Sequence, residues 1–289
     1  MSSASFDRPA WQITGIEWFP VLIGLISLYL PTVYGLASGI WQEDDYAHGP
    51  IILAVFVWLV WDRRRVLLSP SEGVAPKTGV GLLVLGLLFY ILGRSQGISF
   101  IEVGALIPIL AGVALAMRGR SALLGLWFAL LFLIYLVPLP GTFVDGITGP
   151  LKQQVSSAAE QILYMAGFPI ARSGVILTIG QYQLLVADAC SGLNSMFSLS
   201  AVGLLYLYLT RRASWLHNGL IVASLLPIAF IANVTRVMFL VLVTYYFGDE
   251  AGQGFLHKFS GMVLFVMALM LVLLLDAVLS HLIKKPASA

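Results

Sequence analysis

Long apolar runs separated by short polar segments dominate the pattern of this chain. A helix needs about 20 apolar residues to cross a membrane, and eight runs reach or approach that length. They are Phe19–Ile40, Tyr46–Trp61, Gly79–Gly93, Ile98–Met117, Ser121–Leu139, Cys190–Thr210, Trp215–Ala232 and Phe259–Ile283. The pattern therefore predicts an all-α polytopic membrane protein, with eight transmembrane helices in one integral membrane domain over residues 19–283.

One apolar segment does not fit this series of spans. Val237–Phe247 has only eleven residues and follows the polar step Asn233–Arg236. A ninth span here would place Lys284 and Lys285 outside the cell, against the positive-inside rule. We interpret the segment either as an extension of the seventh helix beyond the bilayer or as a re-entrant piece. Pro227 is expected to kink that helix.

The charges between the runs predict the orientation of the chain. With the N-terminus in the cytoplasm, eleven of the sixteen basic residues fall on the cytoplasmic side, and the acidic segments Glu43–Asp45 and Asp249–Glu250 fall outside. Cytoplasmic loops are enriched in Lys and Arg. We therefore expect a cytoplasmic N-terminal segment over residues 1–18 and a cytoplasmic tail over residues 284–289.

The long extramembrane stretch, residues 140–189, is predicted on the outer face. Its first half has apolar residues at a helical spacing, at Val144, Ile147, Leu151, Val155, Ala158, Ile162 and Met165. The opposite face is polar and carries Lys152, Gln153, Ser156, Glu160 and Gln161. This pattern predicts an amphipathic helix that lies on the membrane or over the bundle.

Two short segments rich in β-branched and apolar residues follow this helix, Val175–Ile179 and Tyr182–Val186. They flank Gly180 and Gln181, which suit a two-residue hairpin turn. The sequence therefore predicts a small β-hairpin on the outer face, which leads the chain to the start of the sixth span.

Composition and charge exclude a soluble protein and several kinds of site. Apolar residues make up 59% of the 289 residues and charged residues 10%, against about 45–50% and 25% in soluble domains. The net charge of +2 includes no basic tract that could follow a nucleic acid, so we expect no nucleic-acid partner. The single cysteine excludes an intrachain disulfide and cysteine-rich metal sites. We expect neither a metal nor a cofactor.

Cys190 is the first candidate for chemistry. A lone cysteine in a membrane helix is usually a small hydrophobic side chain. This one opens the sixth predicted helix, after Asp188 and before Ser191 and Gly192. Because a helix N-terminus stabilises a thiolate, the position favours an outward-facing nucleophile.

Arg236 is the second candidate, about twenty residues into the seventh helical segment and near the outer leaflet. A charged side chain at membrane depth is costly, which favours a functional role. The alternatives are an arginine that snorkels to the outer interface, or one that pairs with Asp249 or Asp188. Asn233 lies one turn earlier on the same face, where it either supports the site or forms an interhelical hydrogen bond.

His257 is the third candidate, at the outer end of the last span, and imidazole titrates near neutral pH. It shares its predicted depth with Cys190 and Arg236, which come from two other helices. These residue types suit acyl transfer, because a thiolate attacks a carbonyl, a histidine moves protons and an arginine stabilises the oxyanion. His48 also faces outward and could line the same cavity. The other two histidines are expected at the cytoplasmic interface, namely His217 and His281.

Several short motifs resemble the exosortase/archaeosortase family. They are DACSGL at Asp188–Leu193, NVTR at Asn233–Arg236, and His257 followed by Gly261. The YAHG segment before the second span and the WDRRR segment at its end are also similar to that family. The resemblance covers roughly residues 20–283, which is the whole membrane core.

The resemblance implies a cysteine protease or transpeptidase of the bacterial inner membrane, with its active site on the periplasmic side. It implies Cys190 as nucleophile, with Arg236 and His257 as its catalytic partners. The supporting or substrate-binding candidates are Asp188, Ser191, Gly192, Asn194, Asn233 and His48. The implied substrates are exported proteins ending in a Pro-Glu-Pro-type motif, a hydrophobic helix and a basic cluster. The acceptor is left open between a membrane lipid, a polysaccharide and water.

Other functions remain as alternatives at this point. One is a non-enzymatic transporter or a component of polysaccharide export that uses Arg236 as an anion site. Another is an intramembrane protease unrelated to sorting. Transporters usually show inverted repeats and broken helices near the midplane, whereas here no repeat is evident and the polar groups gather at one membrane face. Asn194 stands where some members of the family carry a basic residue, which leaves the subfamily and the sorting motif open.

Overall fold

The computed structural model describes residues 17–43, 46–68, 76–185, 192–210, 214–248 and 255–282, and most of them are helical. The chain divides into two compact units, Met1–Pro138 and Leu139–Ala289. Each unit has buried clusters of apolar side chains of its own.

The described part of the first unit consists of helices. They are α1 (Trp18–Ser38), α2 (Gly49–Asp62), α3 (Arg64–Leu68), α4 (Pro76–Gln96), α5 (Ser99–Gly104), α6 (Leu106–Gly125) and α7 (Trp127–Phe132), with 3-10 turns at Ile40–Gln42 and Leu133–Leu136. α4 and α6 pack backbone to backbone. A Cβ atom at Gly112 would lie 2.5 Å from the backbone nitrogen of Leu83, and one at Gly79 would overlap Ala116. Small residues at such crossings let membrane helices approach closely.

The second unit combines helices with a small sheet. Its described elements are α8 (Gly141–Met165), β1 (Ile170–Ser173), β2 (Ile176–Ile179), β3 (Tyr182–Leu185), α9 (Gly192–Thr210), α10 (Trp215–Phe247) and α11 (Phe255–Leu282). The strands form an antiparallel sheet in the order β1-β2-β3, with Ile179 opposite Tyr182. The predicted hairpin is therefore confirmed, and Gly180 in its turn has a φ of 57°. β1 is a strand that the sequence did not predict.

The sheet packs against α8 and the C-terminal half of α10. Val155 of α8, Leu177 of β2 and Val237 of α10 belong to one cluster and are each at most 1% exposed. α10 continues without interruption through Val237–Phe247. The segment is therefore a continuation of the seventh predicted helix and not a re-entrant piece. The sheet and α8 give it an apolar surface to pack against.

The buried face of α8 agrees with the predicted one at Leu151, Val155 and Ala158 but differs from it elsewhere. Ile162 and Met165 were expected on the apolar face but are 43% and 77% exposed, whereas Ser156, expected on the polar face, is fully buried. The stripe that meets the sheet instead runs through residues 155, 159 and 163. Ser156 tolerates burial because its hydroxyl donates to the Lys152 carbonyl at 2.7 Å, within its own helix.

The structure supports fewer long spans than predicted. Among the described residues, four helices are long and apolar enough to cross a membrane, namely Trp18–Gln42, Lys77–Gln96, Ser99–Gly125 and Trp215–Phe247. Four shorter apolar helices overlap the remaining predicted runs, namely Gly49–Asp62, Trp127–Leu136, Phe197–Thr210 and Val266–Leu282. A multi-pass helical architecture is therefore confirmed, and the number of eight spans is not.

The fifth predicted run, Ser121–Leu139, begins shortly after a kink inside α6 at Gly119, which has a φ of 75°, but the run itself is interrupted. α6 ends at Gly125, α7 occupies the middle, and the Leu133–Leu136 turn follows. Pro138 and Pro140 then lack the amide hydrogens that would continue the helix. Apolar content alone did not reveal these breaks, since residues 126–136 are all apolar or aromatic.

Candidate active site

Arg236 is held inside the second unit by α10. Its side chain leaves the residue only 7% exposed, and Asn233, one turn earlier on the same helix face, is 3% exposed. The adjacent Val234 and Val237 belong to the apolar cluster shared with the sheet and α8. A snorkelling arginine keeps its head group at the interface, so this burial favours an internal role for the guanidinium. A charge in such a position is costly unless the surroundings compensate it.

A second polar cluster joins α9, α10 and α11 at a different level of the same unit. Nε2 of His217 on α10 lies 2.6 Å from Oδ1 of Asp276 on α11. The hydroxyl of Tyr206 on α9 donates to Oδ2 of the same carboxylate at 2.7 Å. His217 and Asp276 are each only 3% exposed. We call these three residues the Tyr-His-Asp cluster.

The Tyr-His-Asp cluster provides a common origin for measuring height along the three helices. Arg236 comes nineteen residues after His217, and residue 257 comes nineteen residues before Asp276. At about 1.5 Å per residue, both positions lie about 28 Å from the cluster. α9 begins at Gly192, fourteen residues before Tyr206, which corresponds to about 21 Å. Because α10 runs opposite to α9 and α11, all three positions lie towards the same end of the group.

An apolar core between the three helices maintains this arrangement. Leu199 of α9, Ile221 and Leu225 of α10, and Ala268 and Val272 of α11 form one cluster, each at most 5% exposed. Since these residues lie four to eight positions from the Tyr-His-Asp cluster along each helix, the three helices stay packed for about 12 Å beyond it.

The structure describes the other predicted site residues only in part. Asp188, Cys190 and Ser191 lie outside the described residues. Asn194 and His257 belong to α9 and α11, and their backbone positions alone are described. His48 belongs to the first unit, where it precedes α2 and is half-buried. The predicted grouping of Cys190, Arg236 and His257 therefore stays a prediction.

Sequence reasoning assigned His217 to the cytoplasmic interface and overlooked its partners. The structure corrects this, because His217 is buried against Asp276. The sequence did contain a signal, because Asp276 is a carboxylate within the apolar helix Val266–Leu282. An ionisable residue in such a helix usually pairs with another polar group inside the protein.

The first unit contains a similar overlooked pair. Glu102 is 9% exposed, accepts a hydrogen bond from Thr32 at 2.6 Å and forms an ion pair with Arg94 at 2.8 Å. Both clusters join residues far apart in the sequence. Among the described residues, no group of three His, Cys, Asp or Glu side chains is arranged to hold a metal ion.

The helices and buried polar clusters define a multi-pass membrane protein with charged groups inside its helical units. The profile of the transmembrane exosortase family matches residues 40–274, about four fifths of the chain. The chain therefore belongs to the transmembrane exosortase family, as its motifs indicated. No curated protein and no solved structure gives a significant match.

Proposed function

We propose that this exosortase is a cysteine protease or transpeptidase that cleaves C-terminal sorting tails from exported proteins. The observation that carries the proposal is the position of Arg236, which is buried in α10 at the same distance from the Tyr-His-Asp cluster as residue 257 in α11. The family match supports it, since residues 40–274 include Cys190, Arg236 and His257.

The proposed reaction begins with the thiolate of Cys190. It attacks the carbonyl carbon of the scissile peptide bond and forms a tetrahedral oxyanion. The guanidinium of Arg236 stabilises that oxyanion, and His257 protonates the leaving amine as the carbon–nitrogen bond breaks. A thioester with Cys190 results. An amine or hydroxyl of the acceptor, or water, then attacks the thioester and gives its proton to His257, and the thiolate leaves.

The residues around these three would support the reaction. Asn233 lies on the same face of α10 as Arg236 and is buried with it, so its amide can orient the guanidinium or bind the substrate backbone. We assign the remaining supporting roles to Asp188, Ser191, Gly192, Asn194 and His48.

The proposed location is the bacterial inner membrane, with both termini cytoplasmic and the site on the periplasmic side. The substrate would carry a short Pro-Glu-Pro-type motif, a hydrophobic helix and a basic cluster. A helix anchored in the bilayer presents its outer flank at a fixed height, and a site at one end of three packed helices matches that geometry. The acceptor is a lipid, a polysaccharide or water.

The decisive experiment replaces the nucleophile. Cys190→Ala should abolish cleavage of a tailed reporter in cells, with the enzyme still present in the membrane fraction, because no other cysteine exists in the chain. The matched control is Ser200→Ala in α9, whose hydroxyl donates to the Phe197 carbonyl of its own helix. Normal cleavage by Cys190→Ala would reject the cysteine mechanism and favour the transporter or export alternative.

A further inference from the structure

The first unit contains an apolar cleft that the proposed reaction does not use. Its volume is about 420 Å³, and its walls come from α1 to α3 and α5 to α7. Tyr29, Leu36 and Ala129 line it and are each at most 9% exposed. Leu22 and Val57 also line it but are more than half exposed. The cleft is therefore deep, apolar and open along one side.

One end of the cleft carries aromatic and basic side chains. Trp18, Trp61 and Arg64 line this end. The Arg64 guanidinium carbon lies 4.9 Å from the centre of the Trp61 ring, and Nη1 donates to the Trp61 carbonyl at 2.9 Å. Tryptophan and arginine with this placement are typical of the headgroup level of a membrane.

The charges near this end favour an anion. Arg63 and Arg65 are neighbours of Arg64 in the sequence. Two carboxylates oppose the basic groups, Asp62 at 3.7 Å from Arg63 and Glu17 at 3.4 Å from Arg118. Among these side chains the arginines outnumber the carboxylates by four to two. Basic clusters beside a membrane helix attract anionic lipid headgroups.

The size of the cleft decides between two apolar occupants. A helix 30 Å long and about 10 Å wide fills about 2,400 Å³, more than the whole empty space of the cleft, which is about 1510 Å³ including its open side. The hydrophobic helix of a substrate tail is therefore too large. A hydrocarbon chain is thin, has no hydrogen bonds to satisfy and suits the apolar walls. The volume also falls within the range of about 300–1,000 Å³ that is usual for small-molecule sites.

We propose that this cleft binds one acyl chain of an anionic phospholipid from the surrounding membrane. The chain lies between α1 and α2 over Tyr29, and the phosphate lies beside Arg64. The open side of the cleft admits the lipid laterally from the bilayer. This binding does not depend on the proposed protease reaction.

The first test measures lipid binding to the full-length protein in a neutral detergent by native mass spectrometry. The probes are phosphatidylglycerol and phosphatidylcholine with identical acyl chains. We expect one retained phosphatidylglycerol and weaker binding of phosphatidylcholine. One basic residue near an anionic lipid is worth about 1 kcal/mol, so Arg64→Gln should weaken phosphatidylglycerol binding about five-fold. Arg65→Gln, which removes the same charge outside the cleft, should have a smaller effect.

The second test fills the cleft. Val113→Trp places a large side chain within the lining and should reduce the binding of both lipids. Its control is Leu30→Trp, because Leu30 of α1 is 63% exposed and does not line the cleft. Equal binding of the two lipids by the wild-type protein would overturn the proposal. Unchanged phosphatidylglycerol binding by Arg64→Gln, or an equal loss with Arg65→Gln, would also overturn it, even if Val113→Trp failed to fold.

Discussion

Replacing Asp276 with alanine should destabilise the second unit more than any single hydrogen bond would predict. The carboxylate of Asp276 accepts from Tyr206 at 2.7 Å and lies 2.6 Å from Nε2 of His217. Asp276 and His217 are each 3% exposed, so water cannot readily replace the lost partner. The alanine variant therefore leaves two polar groups without the acceptor that joins three helices.

The magnitude follows from the number and burial of these groups. Leaving one buried polar group without its partner costs about 1–3 kcal/mol, and Asp276→Ala leaves two such groups. A single interhelical hydrogen bond in a membrane protein averages about 0.6 kcal/mol and reaches about 1.7. Asp276→Ala should therefore lower the free energy of unfolding by about 2–6 kcal/mol, and Tyr206→Phe by about 0.5–1.5 kcal/mol. The two losses of stability should differ, because Tyr206→Phe removes one hydrogen bond to the carboxylate and Asp276→Ala removes both.

The assay is reversible unfolding of the purified protein in detergent micelles, followed by far-UV circular dichroism. Ser280→Ala is the control, because Ser280 lies one turn further along α11 and its hydroxyl donates to the Ala277 carbonyl in the same helix. That variant should stay within about 0.5 kcal/mol of the wild type. Equal stability of Asp276→Ala and Ser280→Ala would refute the idea that the Tyr-His-Asp cluster stabilises the packing of the three helices.

Three further predictions concern the site and the packing. Arg236→Lys should retain normal membrane levels but lose about 10²–10³-fold in reporter cleavage, because lysine lacks the planar guanidinium; near-normal cleavage would return Arg236 to a structural role. His257→Ala should lose about 10²–10⁴-fold in single-turnover rate without complete loss, and an unchanged rate would remove it as the proton carrier. Gly112→Leu should reduce folded protein in the membrane, since its Cβ would lie 2.5 Å from the Leu83 nitrogen; Gly24→Leu, with open space around it, is the control.

Local chemistry made the β-hairpin predictable from the sequence. Gly180 permits the positive φ of 57° that the two-residue turn adopts, and the flanking segments have strand-forming residues. β1 was missed because it has no alternation of buried and exposed residues. Ile170 is buried, and the three residues after it are exposed. Four residues with that pattern give no alternating signal. β1 is defined by pairing with β2, which a local pattern does not contain.

The C-terminal part of the buried face of α8 was predicted wrongly for a related reason. Ile162, Leu163, Tyr164 and Met165 are consecutive and all apolar or aromatic, so several helix faces are hydrophobic at once. Periodicity finds an apolar stripe but does not select which of several stripes meets a partner. The contact with the sheet selects the one through Leu163, which is 3% exposed, while Tyr164 and Met165 are at least 70% exposed.

The two buried carboxylates indicate how such sites could be read from sequence. Glu102 and Asp276 each interrupt an otherwise apolar stretch. Each is buried and contacts a basic side chain and a hydroxyl donor from other helices. A buried carboxylate is stable only when its charge and lone pairs are matched, so the partners had to exist. Their identities depend on contacts between residues 59 and 70 positions apart for Asp276, which the pattern does not specify. Arg236 follows the same logic, since its burial in α10 requires groups around the guanidinium that compensate its charge.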